Sequence, residues 1–309
     1  MNNRFDFVCV ERILEQSIYD VAREARVSVF TVSAVINNKG GVSATLACRV
    51  EAAIRKLNYR PNLLARSLAK QQTHTIGMIV TDIANPFFPA IVRAAEDAAQ
   101  KSGYTVLLCN SDDKQEKEAR YLELLLSRRV DGIILNKTPG KLSPVQRQML
   151  SDARVPVVLL MRTCPGLRAD LVQTDDKQGA MEAVSHLARL GRKTIAGLAL
   201  LPRGPYAVLV TNYLMTVGFM RAADEMGMRC PEDFALVSFD DYPWLGCFRP
   251  RLTTIELPKY ELGATAVRLL LELVESKRTR AKTVTLQPQL RVRESCGFML
   301  RSIKAAVTA

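Results

Sequence analysis

The spacing of hydrophobic positions changes once along the chain. Between residues 17 and 57, apolar side chains recur every three or four positions in three short groups, which is the spacing of amphipathic helices. From residue 74 onward, short apolar runs alternate with longer stretches of helical spacing. Such alternation is typical of parallel β-sheets covered by helices on both faces. The pattern therefore predicts a small all-helical unit followed by a larger α/β body.

Each predicted N-terminal helix begins after a serine that can cap it. Ser17 stands three residues before Asp20 in the manner of a capping box, and Ser28 and Ser43 precede the second and third helices. Arg60-Pro61 ends the third helix, because proline disfavours helical backbone in the residue before it. Two short helices joined by a tight turn, followed by a third, predict a helix-turn-helix unit whose second helix enters the major groove of DNA.

The charge of the chain is concentrated in this unit. The whole chain has 43 lysines and arginines against 31 aspartates and glutamates, a formal net charge of +12. Between residues 17 and 72, nine basic residues stand against three acidic ones, Asp20, Glu24 and Glu51. A positive field favours a polyanionic partner, because each neutralised phosphate releases counterions. Charge alone would also fit a solvated surface, but together with the helix pattern it favours double-stranded DNA.

Other residue types argue against several classes of protein. The seven cysteines stand singly and the chain has two histidines, which argues against a disulfide scaffold and a zinc site. Nucleophile and phosphate-loop motifs are absent, so we predict no metal, no cofactor and no enzymatic activity. No apolar run reaches the roughly 20 residues of a membrane span, and acidic residues interrupt residues 1–16. We predict a cytoplasmic, nucleoid-associated protein without a membrane partner.

Motifs in both parts of the chain carry a specific resemblance. In the N-terminal unit they are Asp20-Val-Ala-Arg-Glu-Ala-Arg-Val-Ser28, Thr31-Val-Ser33, Val35-Ile-Asn37 and Tyr59-Arg-Pro-Asn-Leu-Leu-Ala-Arg-Ser-Leu68. In the body they include Asn85-Pro-Phe-Phe88, Arg129-Val-Asp-Gly-Ile-Ile134 and Leu252-Thr-Thr-Ile255. In this order they resemble the lactose-repressor (LacI/GalR) family of bacterial transcription regulators. The resemblance implies an all-α helix-turn-helix headpiece and an α/β periplasmic-binding-protein-like body of two Rossmann-like subdomains, the second of them shortened.

The same resemblance implies the domain boundaries. The segments are an N-terminal extension (1–16), the headpiece (17–60), a hinge helix and linker (61–73), an effector-binding and dimerisation body (74–300) and a tail (301–309). Within the body, the N-subdomain is expected over about 74–171 and 252–281. The C-subdomain is expected over about 172–251 and 282–300.

The residues expected to bind DNA follow from the resemblance. Val29, Phe30 and Ala34 would read bases, and Leu68 would insert into the minor groove from a hinge helix that folds on the operator. The phosphate-contacting positions and the further DNA-binding positions are Ser28, Thr31, Ser33, Asn37, Val42, Ser43, Tyr59, Asn62 and Arg66. Helix capping and surface solubility are the alternative roles of the polar members. Arg26 stands at a turn where the family often has glycine.

A small-molecule effector is expected in the body. Polar residues follow several predicted strands, and ligands of open α/β sheets bind outside the carboxyl ends of the strands. By resemblance, Phe87 and Phe88 pack on the effector, Asp240 binds a hydroxyl or amine, and Arg162 is a weaker candidate. This set would suit a sugar or a nucleobase, although both phenylalanines would serve equally well in the core.

The second half of the body is shorter than the family pattern. The predicted strands at 194–201 and 206–210 are separated only by Pro202-Arg-Gly-Pro205, whereas parallel neighbours need a crossover of roughly a dozen residues. Judged against the family, a helix–strand–helix segment with the arginine motif that clamps the effector is missing. The two strands could pair antiparallel across this turn or stay parallel with a stretched linker. We hypothesise that the effector response is impaired or lost.

These features predict a homodimeric, sequence-specific transcription regulator that acts as a repressor. It would bind a pseudo-palindromic operator, and a sugar or nucleobase would modulate it as inducer or co-repressor. One alternative is a truncated regulator that binds DNA without an effector response. The other is a small-ligand-binding protein with no role on DNA.

Overall fold

The computed structural model divides the chain into two compact units, residues 1–71 and 72–309. It describes residues 16–37, 40–59, 72–192, 206–276 and 280–299, together with the backbone of residues 195–196. The boundary between the units lies close to the predicted start of the body. Within the described ranges, no helix is both long and apolar enough to cross a membrane.

Three helices lie in the described part of the N-terminal unit, as the apolar spacing predicts. They are α1 (Ile18–Ala25), α2 (Val29–Ile36) and α3 (Ala44–Lys56). All three predicted serine caps are confirmed. The Ser17 hydroxyl and the Asp20 carboxylate form a reciprocal capping box, and the Ser28 and Ser43 hydroxyls accept hydrogen bonds from Thr31 N and Leu46 N.

The headpiece core is small and contains residues of all three helices. Its buried members include Val21 of α1, Val32 of α2 and Val50 of α3. Arg49 of α3 adds a polar contact, since its Nη2 donates to the Ala25 carbonyl at 2.5 Å. That carbonyl lies at the C-terminal end of α1, where helix carbonyls lack partners within the helix and attract cations.

Arg26, the residue after α1, has left-handed backbone with a φ of 51°. A Cβ atom is sterically unfavourable in this conformation, and glycine has none. Arg26→Gly is therefore expected to stabilise the headpiece by about 1 kcal/mol. Thermal unfolding followed by circular dichroism measures the effect. Arg23→Gly, within α1, is the matched control and should lower stability by about 1 kcal/mol. A lower melting temperature for Arg26→Gly would contradict the prediction.

The body contains two sheets. The strands are β1 (Thr75–Val80), β2 (Thr105–Asn110), β3 (Gly132–Leu135), β4 (Val157–Leu160), β5 (Asp170–Thr174), β6 (Ile195–Ala196), β7 (Tyr206–Val210), β8 (Phe234–Phe239), β9 (Thr253–Glu256), β10 (Thr283–Leu286) and β11 (Gln289–Arg291). The first sheet has the order β10-β5-β4-β3-β1-β2 and the second the order β11-β9-β8-β7-β6. All described pairs are parallel except β9 with β11.

Helices cover both faces of the first sheet and pack on the second. They are α4 (Phe87–Lys101), α5 (Gln115–Ser127), α6 (Pro144–Ala153), α7 (Asp176–Arg189), α8 (Tyr213–Glu225) and α9 (Lys259–Glu275). In the first subdomain, Ile91 of α4 and Leu270 of α9 share one core, and Leu125 of α5 and Leu150 of α6 share another. Gly263 permits the close contact of α9 with α4, because a Cβ there would lie 2.1 Å from the Ile91 carbonyl oxygen.

The sheets correct the predicted division of the body. Strand β9 belongs to the second sheet, although residues 252–281 were expected in the N-subdomain. Strands β5 and β10 pair with each other in the first sheet, whereas the predicted boundaries cut through β5 and assigned β10 to the C-subdomain. The chain therefore crosses between the subdomains after β5, after β9 and between β10 and β11. Local apolar spacing does not show which sheet a short strand joins.

Among the described residues, the second sheet has no counterpart of one unit of the first sheet. In the first sheet, β1 pairs with β3 on one side and with β2 at the sheet edge, and helices connect all three. In the second, β6 pairs with β7 as β1 does with β3, and no counterpart of β2 lies among the described residues. The pairing is parallel, so the antiparallel alternative is wrong. Residues 197–205 connect the strands and lie outside the described residues.

Candidate DNA-binding and effector-binding sites

The three expected base-reading residues of α2 differ in exposure. Phe30 is 82% exposed, an unusual position for a phenylalanine. Val29 is half-buried and packs against the headpiece core, and Ala34 is buried. The structure therefore offers Phe30 for contact with bases, and the burial of Ala34 does not support its expected role.

The polar residues of α2 cluster near its two ends. At the start, the exposed Ser28 hydroxyl lies 2.9 Å from the Thr31 hydroxyl and accepts from Thr31 N at 3.1 Å. At the end, Asn37 Nδ2 donates to the Ser33 carbonyl at 2.7 Å, so this amide is bonded within its own helix. The first turn of α2 thus combines helix N–H groups with two hydroxyls, a combination suited to a phosphate oxygen.

The other expected DNA-binding positions lie near α3 or outside the described residues. Ser43 is exposed and caps α3, and Val42 beside it is half-buried. Tyr59 is half-buried against the headpiece core, and burial raises the pKa of its hydroxyl. The positions at Asn62, Arg66 and Leu68 fall within residues 60–71, which lie outside the described residues.

Ion pairs leave cationic groups on the headpiece. Its three described acids are each near a basic residue: Asp20 near Arg23 at 3.6 Å, Glu24 near Lys56 at 2.7 Å and Glu51 near Arg55 at 3.9 Å. Arg26 and Arg49 form no ion pair with a described carboxylate. The unit therefore keeps excess positive charge where helices α1 and α3 meet, which favours an anionic partner.

In the body, most polar groups at the strand ends are bonded locally. Asn110, the last residue of β2, accepts from Ile83 N at 3.0 Å and donates to Asp112 at 2.6 Å. The Thr174 hydroxyl at the end of β5 donates to Asp176, and Asp175 caps α7. The repeated polar ending predicted from the sequence is real, but these side chains mainly fix loops and begin helices.

Two adjacent aspartates after β8 have opposite environments. Arg293 makes two hydrogen bonds of 2.8 Å to Asp241, which together with its charge overcome the effect of burial and lower the pKa of that carboxyl. Asp240 is 7% exposed, and its Oδ1 accepts no hydrogen bond from a described group. Burial raises the pKa of Asp240, opposed by Lys259 and Tyr242. Arg293 therefore holds Asp241 in a structural contact, whereas Asp240 makes no such bidentate contact among the described residues.

Two further residues beside Asp240 were not predicted from the sequence. Lys259 Nζ lies 3.8 Å from Asp240 Oδ1 and 4.7 Å from the centre of the Tyr242 ring. The buried Tyr242 hydroxyl makes no hydrogen bond to a described group, and its ring stacks on Trp244 at 5.7 Å. The adjacency of Tyr242 and Trp244 to the paired aspartates in sequence was the available signal. Asp240 Oδ1 and the Tyr242 hydroxyl are buried and make no hydrogen bond to a described group, although Lys259 lies within ion-pair distance of the carboxylate, and such atoms suit a polar ligand.

The remaining expected effector residues are not equivalent. Phe87 is half-buried and packs against the cores of both subdomains, which places it between the two sheets. Phe88 is buried in the first core, which favours its structural role. Arg162 lies 3.3 Å from Asp113 and donates to the Lys137 carbonyl at 3.1 Å, so its described partners all belong to the first subdomain.

Substitution of the two aspartates should change stability in opposite directions. Because the folded protein favours protonated Asp240, its carboxyl costs stability as the pH rises above the ordinary pKa of 3.8. Asp240→Asn is expected to raise the free energy of unfolding by about 1 kcal/mol at pH 7, a gain that fades toward pH 3. Asp241 stabilises the fold above pH 3.8 and loses this effect as the pH falls through its lowered pKa, so Asp241→Asn should destabilise at pH 7. Urea unfolding of both variants at pH 7 and pH 3 measures these free energies. Equal changes in the free energy of unfolding for Asp240→Asn and Asp241→Asn would contradict the opposite environments described for the two carboxylates.

Comparison with known families and proteins agrees with both units. Residues 17–62 match the bacterial regulatory proteins of the lacI family, and residues 164–296 match a periplasmic binding protein-like domain. The ribose operon repressor of Halalkalibacterium halodurans is 35% identical over 325 positions, covering 90% of this chain and 96% of the relative. Catabolite control protein A of Priestia megaterium is 31% identical over 90% of this chain and 98% of its own length.

A solved structure extends the comparison to the fold. The lac repressor dimer bound to operator and the anti-inducer ONPF superposes with a TM-score of 0.78 and 28% identity, over 91% of this chain and 99% of that chain. The predicted helix-turn-helix headpiece and two-subdomain α/β body are thereby confirmed. The chain belongs to the lacI family of bacterial regulatory proteins.

Proposed function

We propose that this protein is a transcription regulator that represses its target genes by binding a pseudo-palindromic operator as a homodimer. The observation that carries the proposal is α2, a serine-capped second helix of a helix-turn-helix unit that presents the exposed Phe30. Relatives named as operon repressors, and the operator-bound lac repressor dimer, support it. A protein with this function acts in the cytoplasm at the nucleoid and has no catalytic role.

On DNA, the proposed roles of the headpiece residues divide by chemistry. Ser28, Thr31 and the first N–H groups of α2 contact a phosphate, which fixes the helix in the major groove. Phe30 reads a thymine methyl group, the apolar feature of that groove. Arg26 and Arg49 add affinity that falls with salt. Asn62, Arg66 and Leu68 complete the proposal as linker contacts, with Leu68 inserted in the minor groove.

In the body, we place a sugar or nucleobase effector between the sheets. Asp240 accepts hydrogen bonds from its hydroxyl or amine groups, and Phe87 packs on its apolar face. The position of Phe87 against both cores supports this site, as does Asp240 Oδ1, which is buried beside Lys259 and accepts no hydrogen bond from a described group. A ligand that prefers one arrangement of the subdomains changes DNA affinity by its difference in affinity for the two arrangements.

A specific observation favours a regulator with a weakened effector response. The second sheet has no described counterpart of β2 or its flanking helices. The alignment with the ribose operon repressor is longer than this 309-residue chain although it uses 90% of it, so the relative has segments without a counterpart here. We propose that the shortened subdomain has lost part of the effector contacts, so that DNA binding depends only weakly on ligand.

The DNA-binding proposal is tested by gel-shift titration of promoter fragments with the full chain and with residues 72–309. The full chain should shift a specific fragment with an affinity that falls steeply as salt rises. Residues 72–309 should not shift it. If the full chain binds no fragment above nonspecific affinity, or if residues 72–309 bind equally well, the proposal is wrong.

The effector proposal is tested separately by calorimetric titration of the full chain with sugars and purines. The expected result is weak or undetectable binding and less than a fivefold change in operator affinity. A ligand of micromolar affinity that changes operator binding by tenfold or more would show that the shortened subdomain still responds.

A further inference from the structure

The first subdomain has a second cavity, on the edge of its sheet opposite the strand carboxyl ends. This cavity of about 610 Å³ is lined by α6, by the loop before β5 and by the segments around the end of α9. Four arginines line it, Arg147, Arg154, Arg168 and Arg280, and we name it the arginine cavity. Asp170 is the one acidic residue among its described lining residues.

Three of these guanidinium groups carry uncompensated charge. Arg147, Arg154 and Arg168 form no ion pair and donate no side-chain hydrogen bond among the described residues. Arg147 lies against the loop before β5, since a Cβ on Gly166 would be 2.7 Å from its Nη1. Gly166 and Arg168 belong to the same loop, and both line the cavity together with Arg147. Like charges gathered in a concave surface raise the local concentration of anions.

Favourable interactions with helix ends explain only some of the arginines in the arginine cavity. Helix α6 ends at Ala153 and is capped by Arg154, and a cation at a helix C-terminus contributes about 0.3–1 kcal/mol. Arg168 is on a loop and Arg147 is in the first turn of α6, so neither serves that helix end. Arg154 also has left-handed backbone with a φ of 51°, where glycine or asparagine would cost less. The helix end therefore accounts for Arg154 but not for Arg147 or Arg168.

The cavity is separate from the effector crevice. The first residues of β4 and β5 line it, as do Arg280 and Ala281 shortly before β10. These strands are parallel to β1, so the cavity lies at the edge of the sheet where β1 begins. Asp240 directly follows the carboxyl end of β8, and Phe87 comes shortly after the carboxyl end of β1. The arginine cavity lies instead at the amino ends of the strands of the first sheet. A ligand in the arginine cavity would bind without touching the effector residues.

We propose that the arginine cavity binds a small molecule that carries phosphate groups. Phosphate oxygens accept charge-assisted hydrogen bonds from guanidinium groups, and three unpaired arginines suit a ligand with more than one negative charge. The Ser151 hydroxyl on the lining is a neutral donor for the same ligand. The cavity volume of about 610 Å³ has room for a small phosphate-bearing molecule.

The proposal is tested on the full chain with pyrophosphate as the probe, by calorimetric titration in the absence of DNA. Arg154→Gly and Arg168→Gln should each weaken pyrophosphate binding about tenfold. Arg154→Gly is informative because glycine suits the left-handed backbone, so a loss of binding cannot come from unfolding. Arg120→Gln, an exposed arginine of α5 outside the cavity, is the matched control and should bind as the unaltered chain does.

The outcomes separate this site from its alternatives. Loss of binding in both cavity variants, with normal binding in Arg120→Gln and in Asp240→Asn, supports the proposal. Equal binding by all variants, or no binding by the unaltered chain, overturns it. If pyrophosphate does not bind, a DNA titration of Arg168→Gln shows whether the arginines serve DNA instead. In that case the variant lowers the affinity for DNA and weakens the dependence of that affinity on salt. None of these readings depends on whether the protein proves to be a repressor.

Discussion

Replacing Lys137 by methionine should lower the free energy of unfolding by about 3–5 kcal/mol, the effect expected when a buried ion pair loses one partner. The side chains of Lys137 and Glu118 are 2% and 1% exposed, and Lys137 Nζ lies 2.7 Å from Glu118 Oε1. Lys137 Nζ also donates to the Thr138 carbonyl, and Thr138 N donates to Glu118 Oε2, both at 2.6 Å. Without Lys137, the Glu118 charge remains buried and uncompensated.

A double variant separates the loss of charge balance from the loss of packing. Glu118→Gln combined with Lys137→Met leaves no buried charge, and the glutamine oxygen can still accept from Thr138 N. This protein should recover most of the stability that Lys137→Met loses. Urea unfolding of the three proteins is the measurement. If Lys137→Met alone costs less than 1 kcal/mol, or if the double variant is less stable than the single one, the pair does not act as described.

The contact between Lys137 and Glu118 could not be predicted from the sequence. Glu118 lies within a helix and Lys137 follows a strand, and local spacing gives no reason to join them. The bidentate contact of Arg293 with Asp241 spans a larger separation in the chain. Without knowing this contact, the two aspartates after β8 look equivalent. The structure separates them through partners that are distant in sequence.

The headpiece was predicted closely because its determinants are local. Ser17, Ser28 and Ser43 each cap a helix through a residue three positions ahead, so the capping pattern is visible in a few letters of sequence. The burial of Ala34 was not visible, since it depends on how α2 packs in the unit. The exposure of Phe30 has the same origin and needed the structure.

The shortened second sheet was predicted in part. The four residues between two apolar runs predicted that a crossover is missing and left two strand pairings open. The first sheet explains the parallel result: β6 keeps the place of β1, β7 keeps that of β3, and only the edge position is unfilled. Removal of an edge strand leaves the hydrogen bonds of the inner strands intact, so the sheet retains its order.

Replacing Phe30 by alanine should weaken operator binding by about tenfold to a hundredfold, the range expected for losing a specific base contact of about 1–3 kcal/mol. Phe30 lies on α2 with most of its ring in solvent, so its removal leaves no cavity and headpiece stability should be unchanged. Binding to nonspecific DNA should also be unchanged, because phosphate contacts supply it. Fluorescence anisotropy with the operator and with a scrambled duplex at one salt concentration measures both.

Tyr19 provides the matched control for this substitution. It is a second exposed aromatic residue of the headpiece, 68% exposed, and lies on α1. If exposed aromatic rings on this unit only add general affinity, Tyr19→Ala and Phe30→Ala should weaken both duplexes alike. If α2 is the reading helix, only Phe30→Ala should reduce the ratio of operator to nonspecific affinity. Equal ratios in the two variants would move base recognition away from Phe30 and toward the linker residues 60–71.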